Sequence, residues 1–372
     1  MKSIDLLTQQ GIVNWGNLNR IKKVIERAMR GEEVVIGFIG GSITQGSLSS
    51  TSQTCYAYLV YQWWEKTFPT ATFKYVNAGV GGTNSYYGTS RVDEHLLVYQ
   101  PDFVIVEFSV NDKANEFFKE TYEGLLRRIL YSESQPAVMV INNMFYDSGF
   151  NAQAYHNQIA KAYELPILSI KDSLYPEILD KNLEASALTP DNLHPNDSGH
   201  RLISEMISSF LMSIKRKIYD STIEEQEAKN RAVTKNRFED SKRIQSYNAN
   251  PILKGFTQDD SVQECISDNF KRGWEASALG DCISFDIECS SIGVQYRKTI
   301  HKPAPIAKLT IDHQDEEIFV LDANFEETWG DSLNLDFIKA FEDKVMHHIE
   351  IKLINVDESN QTPFYLVGLV IS

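Results

Sequence analysis

The sequence predicts a two-domain protein: an α/β domain built on a helix-wrapped parallel sheet, followed by an all-β sandwich. Three observations carry this. Strand-like and helix-like segments alternate over residues 1–218, a charged stretch poor in large apolar residues covers 219–250, and period-two alternation fills 251–372. The length of 372 residues also exceeds the ~250–300 at which single cores stop growing.

In the first domain the strand candidates are the runs near 33–39 (EVVIGFI), 72–77 (TFKYVN), 102–108 (DFVIVEF), 136–142 (PAVMVIN) and 166–170 (PILSI). They are apolar almost throughout, as strands covered on both faces should be. Helical patterns lie between them, near 17–30, 55–67, 89–99, 115–131 and 151–164. A further helix is expected near 197–218, with Leu202, Ile203, Met206, Ile207, Phe210, Leu211 and Ile214 on one face and Asp197 as its cap. Such alternation gives a parallel sheet with helices on both sides, a three-layer α/β domain.

Between Asp220 and Arg243, six acidic and six basic residues predict a solvated helix or linker without further role. Beyond 250, segments such as DCISFDIEC, AKLTIDH, HHIEIKLIN and FYLVGLVIS, separated by turn-rich breaks, predict the sandwich.

Charge and composition narrow the function. A net charge of −15 disfavours nucleic acid and anionic membrane surfaces as partners and leaves neutral substrates open. No apolar run approaches the roughly 18–20 residues that cross a bilayer. MKSIDLLTQQ also lacks the basic and apolar regions of a secretory signal, so a cytoplasmic location is expected. Cys55, Cys265, Cys282 and Cys289 form no CxxC pair or metal-ligand spacing and read as free thiols.

Chemistry concentrates in four segments. In VVIGFIGGSITQG, residues 34–46, a hydrophobic strand runs into Gly40-Gly41-Ser42, placing a serine at the carboxyl end of the first strand, where open α/β sheets bind ligands. The same segment suits a plain Gly-Ser turn; a phosphate loop is disfavoured, because neither GxxxxGK[ST] nor GxGxxG is present. In TPDNLHPNDSGH, residues 189–200, Asp191 and His194 stand three apart in a proline-flanked loop. A serine hydroxyl needs a base, and the base needs a group that fixes its tautomer. A surface polar turn is the plainer reading of this loop. A metal site from Asp191, His194 and His200 lacks a further ligand pattern. The glycine cluster of VNAGVGGTNSYYG (76–88) and Asn111 in VIVEFSVND (104–112) are candidate oxyanion donors, each after a strand.

Ser, Gly, Asn and Asp/His in this order resemble the four blocks of the SGNH (GDSL-like) hydrolase family. GGSIT at 40–44 matches the nucleophile block at Ser42. NAGVGG at 77–82 matches the glycine block, favouring Gly82 with Gly81 second. SVND at 109–112 matches at Asn111, and DNLHPN at 191–196 resembles the terminal DxxH at Asp191 and His194. The resemblance covers roughly 30–218. Gly41 departs from the usual Asp and Ser109 from the usual Gly.

The resemblance implies a flavodoxin-like three-layer domain with a five-stranded parallel sheet. It also implies a triad of Ser42, His194 and Asp191, an oxyanion hole of Ser42, Gly82 and Asn111, and no metal or organic cofactor. The two-domain layout resembles the family's carbohydrate acetyl esterases, which act on acetylated manno- or xylo-oligosaccharides. In these the sandwich is similar to a carbohydrate-binding module and can mediate homo-oligomers. Within it, Trp329 in NFEETWGD is a candidate sugar contact, with a place in the core or an interface as the alternative. Two other functions stay open: a lipase- or thioesterase-like hydrolase of other acyl esters, and a non-catalytic glycan-binding protein.

Overall fold

A computed structural model describes residues 2–218, 231–314, 316–359 and 362–372. The chain divides into two compact units, Met1–Glu239 and Asp240–Ser372.

The first unit opens with α1 (Ile4–Gly11), β1 (Ile12–Asn14), α2 (Asn19–Met29) and β2 (Glu33–Gly40). It continues through α3 (Ser42–Gln45), α4 (Tyr56–Thr67), β3 (Thr72–Gly79), α5 (Ser85–His95), β4 (Phe103–Glu107) and α6 (Glu116–Leu130). β5 (Ala137–Asn142), α7 (Gln153–Ala162), β6 (Ile167–Ser169), α8 (Ile170–Leu179) and α9 (Asp197–Arg216) complete it. The strands order β1-β6-β5-β4-β2-β3. The five expected strands, β2 to β6, pair in parallel, and β1 adds an unexpected antiparallel edge against β6.

Every residue of β4 and β5 is buried, and so is all of β2 after Glu33, as their continuous apolar runs require. The seven apolar residues expected on one face of α9 are all buried. α8 escapes a reading of the sequence because Pro176 lies inside it, and proline ordinarily argues against a helix interior. Sheet register decides where loops can meet. Gly40 pairs with Gly79 on one side and Glu107 on the other, so β2, β3 and β4 end level and their C-terminal loops leave along one edge.

The stretch expected as a charged helical linker behaves otherwise. Residues 219–230 lie outside the described residues, and no helix occurs over 231–250. Glu123 of α6 accepts the N–H groups of Val233 and Thr234 at 2.6 and 2.7 Å, Arg237 pairs with Glu120, and Glu239 with Arg127. Phe238 is fully buried, edge-on to Tyr86 and Phe117. Arg237 and Glu239 are thus paired with α6, a partner more than a hundred residues earlier.

The second unit contains β7 (Lys242–Ile244), β8 (Ile252–Lys254), β9 (Thr257–Gln258), β10 (Trp274–Ala276) and β11 (Cys282–Lys298). β12 (Ile306–Ile311), β13 (Phe319–Asp322), β14 (Ser332–Asn355) and β15 (Phe364–Ile371) complete this unit. All pairings between these strands are antiparallel, and they form one hydrogen-bonded sheet, with β7 and β8 branching from β15 and β11. The long strands β11 and β14 run alongside each other with register shifts at Cys289/Ser291 and Ile292/Gly293. Before these shifts the buried positions of β11 are Ile283, Phe285 and Cys289; after them every residue from Ser291 to Tyr296 is buried. Ile283, Phe285, Cys289, Ile292, Val294 and Tyr296 all join one apolar cluster, so both halves of the strand feed the same core.

Candidate active site

Ser42 stands at the start of α3, immediately after β2, with Gly41 as the turn residue. The Ser42 carbonyl accepts the N–H groups of Gly46 and Ser47, both at 3.0 Å, closing the short helix. Gly40 allows this closeness: a Cβ there would fall 2.2 Å from Thr44 Oγ1 and 2.4 Å from the Glu107 carbonyl oxygen.

The 189–196 loop meets it from the far end of the domain. Asn192 takes the left-handed conformation at φ +63°, which folds the loop back on Asp191. Asp191 Oδ1 then accepts the N–H of His194 at 2.7 Å, that of Leu193 at 3.0 Å and the Thr189 hydroxyl at 3.1 Å. Its Oδ2 lies 2.7 Å from His194 Nδ1, and His194 Nε2 lies 2.9 Å from Ser42 Oγ. With Nδ1–H donating to the carboxylate, Nε2 is left as the acceptor for the serine proton. Partial burial alone would raise the Asp191 pKa, but the bonds from His194 and Leu193 outweigh it and hold it at about 2. The carboxylate is therefore ionised whenever the imidazole needs it.

The two glycines of the loop differ in their hydrogen bonding. Gly81 N–H donates to the Gln45 side-chain oxygen at 2.6 Å, so it is already engaged. Among the described residues, the N–H groups of Gly82 and Ser42 donate to no protein group. Gly82 has φ +70°, and a Cβ there would meet nothing within 4 Å, so the demand for glycine is one of backbone conformation rather than space. Asn111 follows β4 in a turn closed by the bond from its own N–H to the Phe108 carbonyl at 3.0 Å, and its side chain lies against Gly41.

The structure thus brings Ser42, His194 and Asp191 into one hydrogen-bonded line and sets Asn111 against the residue preceding the serine. Trp329 belongs to the second unit. It is 65% exposed, not core, and meets Phe325 edge-on at 5.0 Å between centroids.

Across almost its whole length the chain matches a solved two-domain esterase active on acetylated mannans, co-crystallised with mannopentaose. It is 47% identical with a TM-score of 0.94, covering 98% of this chain and 97% of that one. The chain belongs to the GDSL-like lipase/acylhydrolase family. It is accordingly a carboxylic ester hydrolase. The family's pattern matches residues 38–202, from the end of β2 into α9. A second structure of a two-domain esterase active on acetylated mannans matches equally, at 47% identity and a TM-score of 0.94, covering 98% of each chain. The acetylxylan esterase of Geobacillus stearothermophilus is 25% identical over 198 residues, 45% of this chain and 89% of its own.

Two side chains of this acylhydrolase take parts that the sequence conceals. Asn196, not Asp197, caps α9, accepting from the N–H groups of Ser198 and Gly199. Asp197 instead accepts Ser50 N–H, Ser50 Oγ–H and Thr54 Oγ–H at 2.8, 2.7 and 2.8 Å, tying the loop after Ser42 to the helix after His194. His200, weighed as a metal ligand, is buried with Nδ1 3.2 Å from the Tyr56 N–H and Nε2 3.3 Å from the Ser47 carbonyl. No metal-binding group of three or more His, Cys, Asp or Glu occurs among the described residues. Nor, among them, is any helix long and apolar enough to cross a membrane.

Proposed function

We propose that this acylhydrolase removes O-acetyl groups from acetylated oligosaccharides through an acyl-enzyme on Ser42. The observation that carries the mechanism is the continuous line from Asp191 through His194 to Ser42 Oγ, at 2.7 and 2.9 Å. His194 Nε2 takes the serine proton as Oγ attacks the acetyl carbonyl. The carbonyl oxygen becomes an oxyanion facing the N–H groups of Ser42 and Gly82 and the amide of Asn111. On collapse, the C–O bond to the sugar breaks and His194 returns its proton to the leaving hydroxyl. Water then attacks the acetyl-serine with the same base, releasing acetate and restoring Ser42.

Manno-oligosaccharides are the favoured substrate, because the relative that matches through both units is active on acetylated mannans. Trp329 is proposed as a sugar contact, supported by its exposure. A cytoplasmic site of action belongs to the same proposal, with Cys55, Cys265, Cys282 and Cys289 all present as free thiols.

The test is acetate release from acetylated manno- and xylo-oligosaccharides by the native protein and Ser42→Ala. Release that vanishes in the variant supports the reading. Native protein that releases nothing from these or from aryl acetates overturns it, and longer acyl esters or plain glycan binding then replace it. Unchanged oligosaccharide kinetics in Trp329→Ala would remove that residue from the site.

A further inference from the structure

The loop between β5 and α7 is pinned to both halves of the catalytic machinery. Tyr146 N–H donates to the Asn192 carbonyl at 2.7 Å, two residues from His194. Ala152 N–H donates to the Ser109 carbonyl at 2.7 Å, two residues from Asn111. At the loop's root, the Asn143 carbonyl accepts from Ser109 Oγ at 3.0 Å and Asn151 Nδ2 at 2.7 Å.

The loop is also closed on itself. Gly149 N–H donates to the Phe145 carbonyl at 2.8 Å, and Phe145 N–H to the Phe150 carbonyl at 3.0 Å. Gly149 sits at φ +64° with a Cβ position only 2.6 Å from the Tyr175 ring, so this turn is seated by contact as well as by hydrogen bonds. On this braced turn Phe150 is 54% exposed, its ring 6.2 Å from that of Phe145 at 55°. A large apolar ring held in water beside a catalytic turn contributes little to folding. Its position suits a ligand that brings an apolar face to it.

We propose that Phe150, backed by Phe145, is a carbohydrate subsite that takes the pyranose unit next to the acetylated one. The C–H face of a pyranose ring is apolar and its rim polar, so stacking on Phe150 buries the face and leaves the hydroxyls in water. The inference rests on the acetyl-esterase reading and adds to it a place where the saccharide, rather than the acetyl group, is held. The occupant is set by continuity with the site: the bonds to Asn192 and Ser109 tie the loop to the turns that carry His194 and Asn111.

The test compares native protein, Phe150→Ala and Phe150→Trp on acetylated manno-oligosaccharides and on 4-nitrophenyl acetate, which has no neighbouring sugar. The expected result is a loss of about 5–10-fold in kcat/KM on the oligosaccharide for the alanine variant, the size of one aromatic contact. Its rate on the aryl ester should be unchanged, and the tryptophan variant should restore the oligosaccharide rate. Equal losses on both substrates, or none on the oligosaccharide, would overturn the subsite. A loss confined to longer-chain aryl esters would also overturn it, in favour of an acyl contact. Failure of the native protein on both substrates would instead sink the acetyl-esterase reading itself.

Discussion

The side-chain amide of Asn111 occupies the space that a Cβ on residue 41 would fill: such an atom would lie 2.3 Å from Asn111 Oδ1 and 2.8 Å from Nδ2. The glycine before Ser42, where the resembling family usually has Asp, therefore seats the proposed oxyanion donor. Alanine at 41 would push that amide aside. Gly41→Ala is expected to lose kcat, approaching the ~10²–10³-fold cost of a lost oxyanion donor. In an Asn111→Ala background the same change should cost nothing more. Additive losses across this double-mutant cycle would show that Gly41 acts some other way.

Asp191→Asn isolates the tautomer. The asparagine oxygen can still accept the N–H groups of Leu193 and His194 that shape the turn. The charged acceptor for His194 Nδ1–H is gone, and kcat should fall by about 10⁴-fold with the fold intact. In the native protein the carboxylate stays ionised down to about pH 2, so protonation of Asp191 should leave no limb in kcat/KM above that pH. A limb in kcat/KM at about pH 4 that Asp191→Asn removes would count against that ionisation.

Asp197 should show a stability effect that depends on pH. Hydrogen bonds from Ser50 and Thr54 hold its carboxyl at about 2, below the roughly 3.9 of an unfolded aspartate. A depressed carboxyl stabilises the fold above the unfolded pKa and loses that contribution as pH falls through the folded one. Asp197→Asn should therefore lower the thermal midpoint near neutrality, with the gap from native closing towards about pH 2. A gap independent of pH would mean that the loop is held by other contacts.

Glu107 should show the opposite sign. Burial pushes its carboxyl up to about 7, against the hydrogen bonds from Ser109 Oγ and N–H. Ser109 Oγ has one proton and lies 3.0 Å from both Glu107 Oε1 and the Asn143 carbonyl. A protonated carboxyl that donates to the hydroxyl serves both contacts; an ionised one leaves two acceptors competing for one proton. A carboxyl raised above its unfolded value, about 4.3, costs stability as pH climbs from there to the folded pKa. Glu107→Gln should gain on the native protein in thermal midpoint between about pH 5 and pH 8. A constant difference across that interval would refute the assignment.

Much of the domain order was legible in the residues alone. Continuous apolar runs mark β2, β4 and β5 because both faces of a parallel sheet are covered, and the 3.6-residue period marks α9. The four chemical blocks were legible because each follows a sheet segment or opens a helix. Other features depend on partners that local pattern cannot name. Gly82 rather than Gly81 is left available because Gln45, 36 residues away, takes the Gly81 N–H. Asp197 serves Ser50 from 147 residues away and leaves the cap to Asn196. Arg237 and Glu239 look like part of a solvated face until Glu120 and Arg127 of α6 are brought against them, with Glu123 taking the N–H groups of Val233 and Thr234. Side-chain period and turn chemistry are properties of neighbours in the chain, so sequence carries them. Which donor meets which acceptor is decided only when the sheet register aligns loops that the chain keeps far apart.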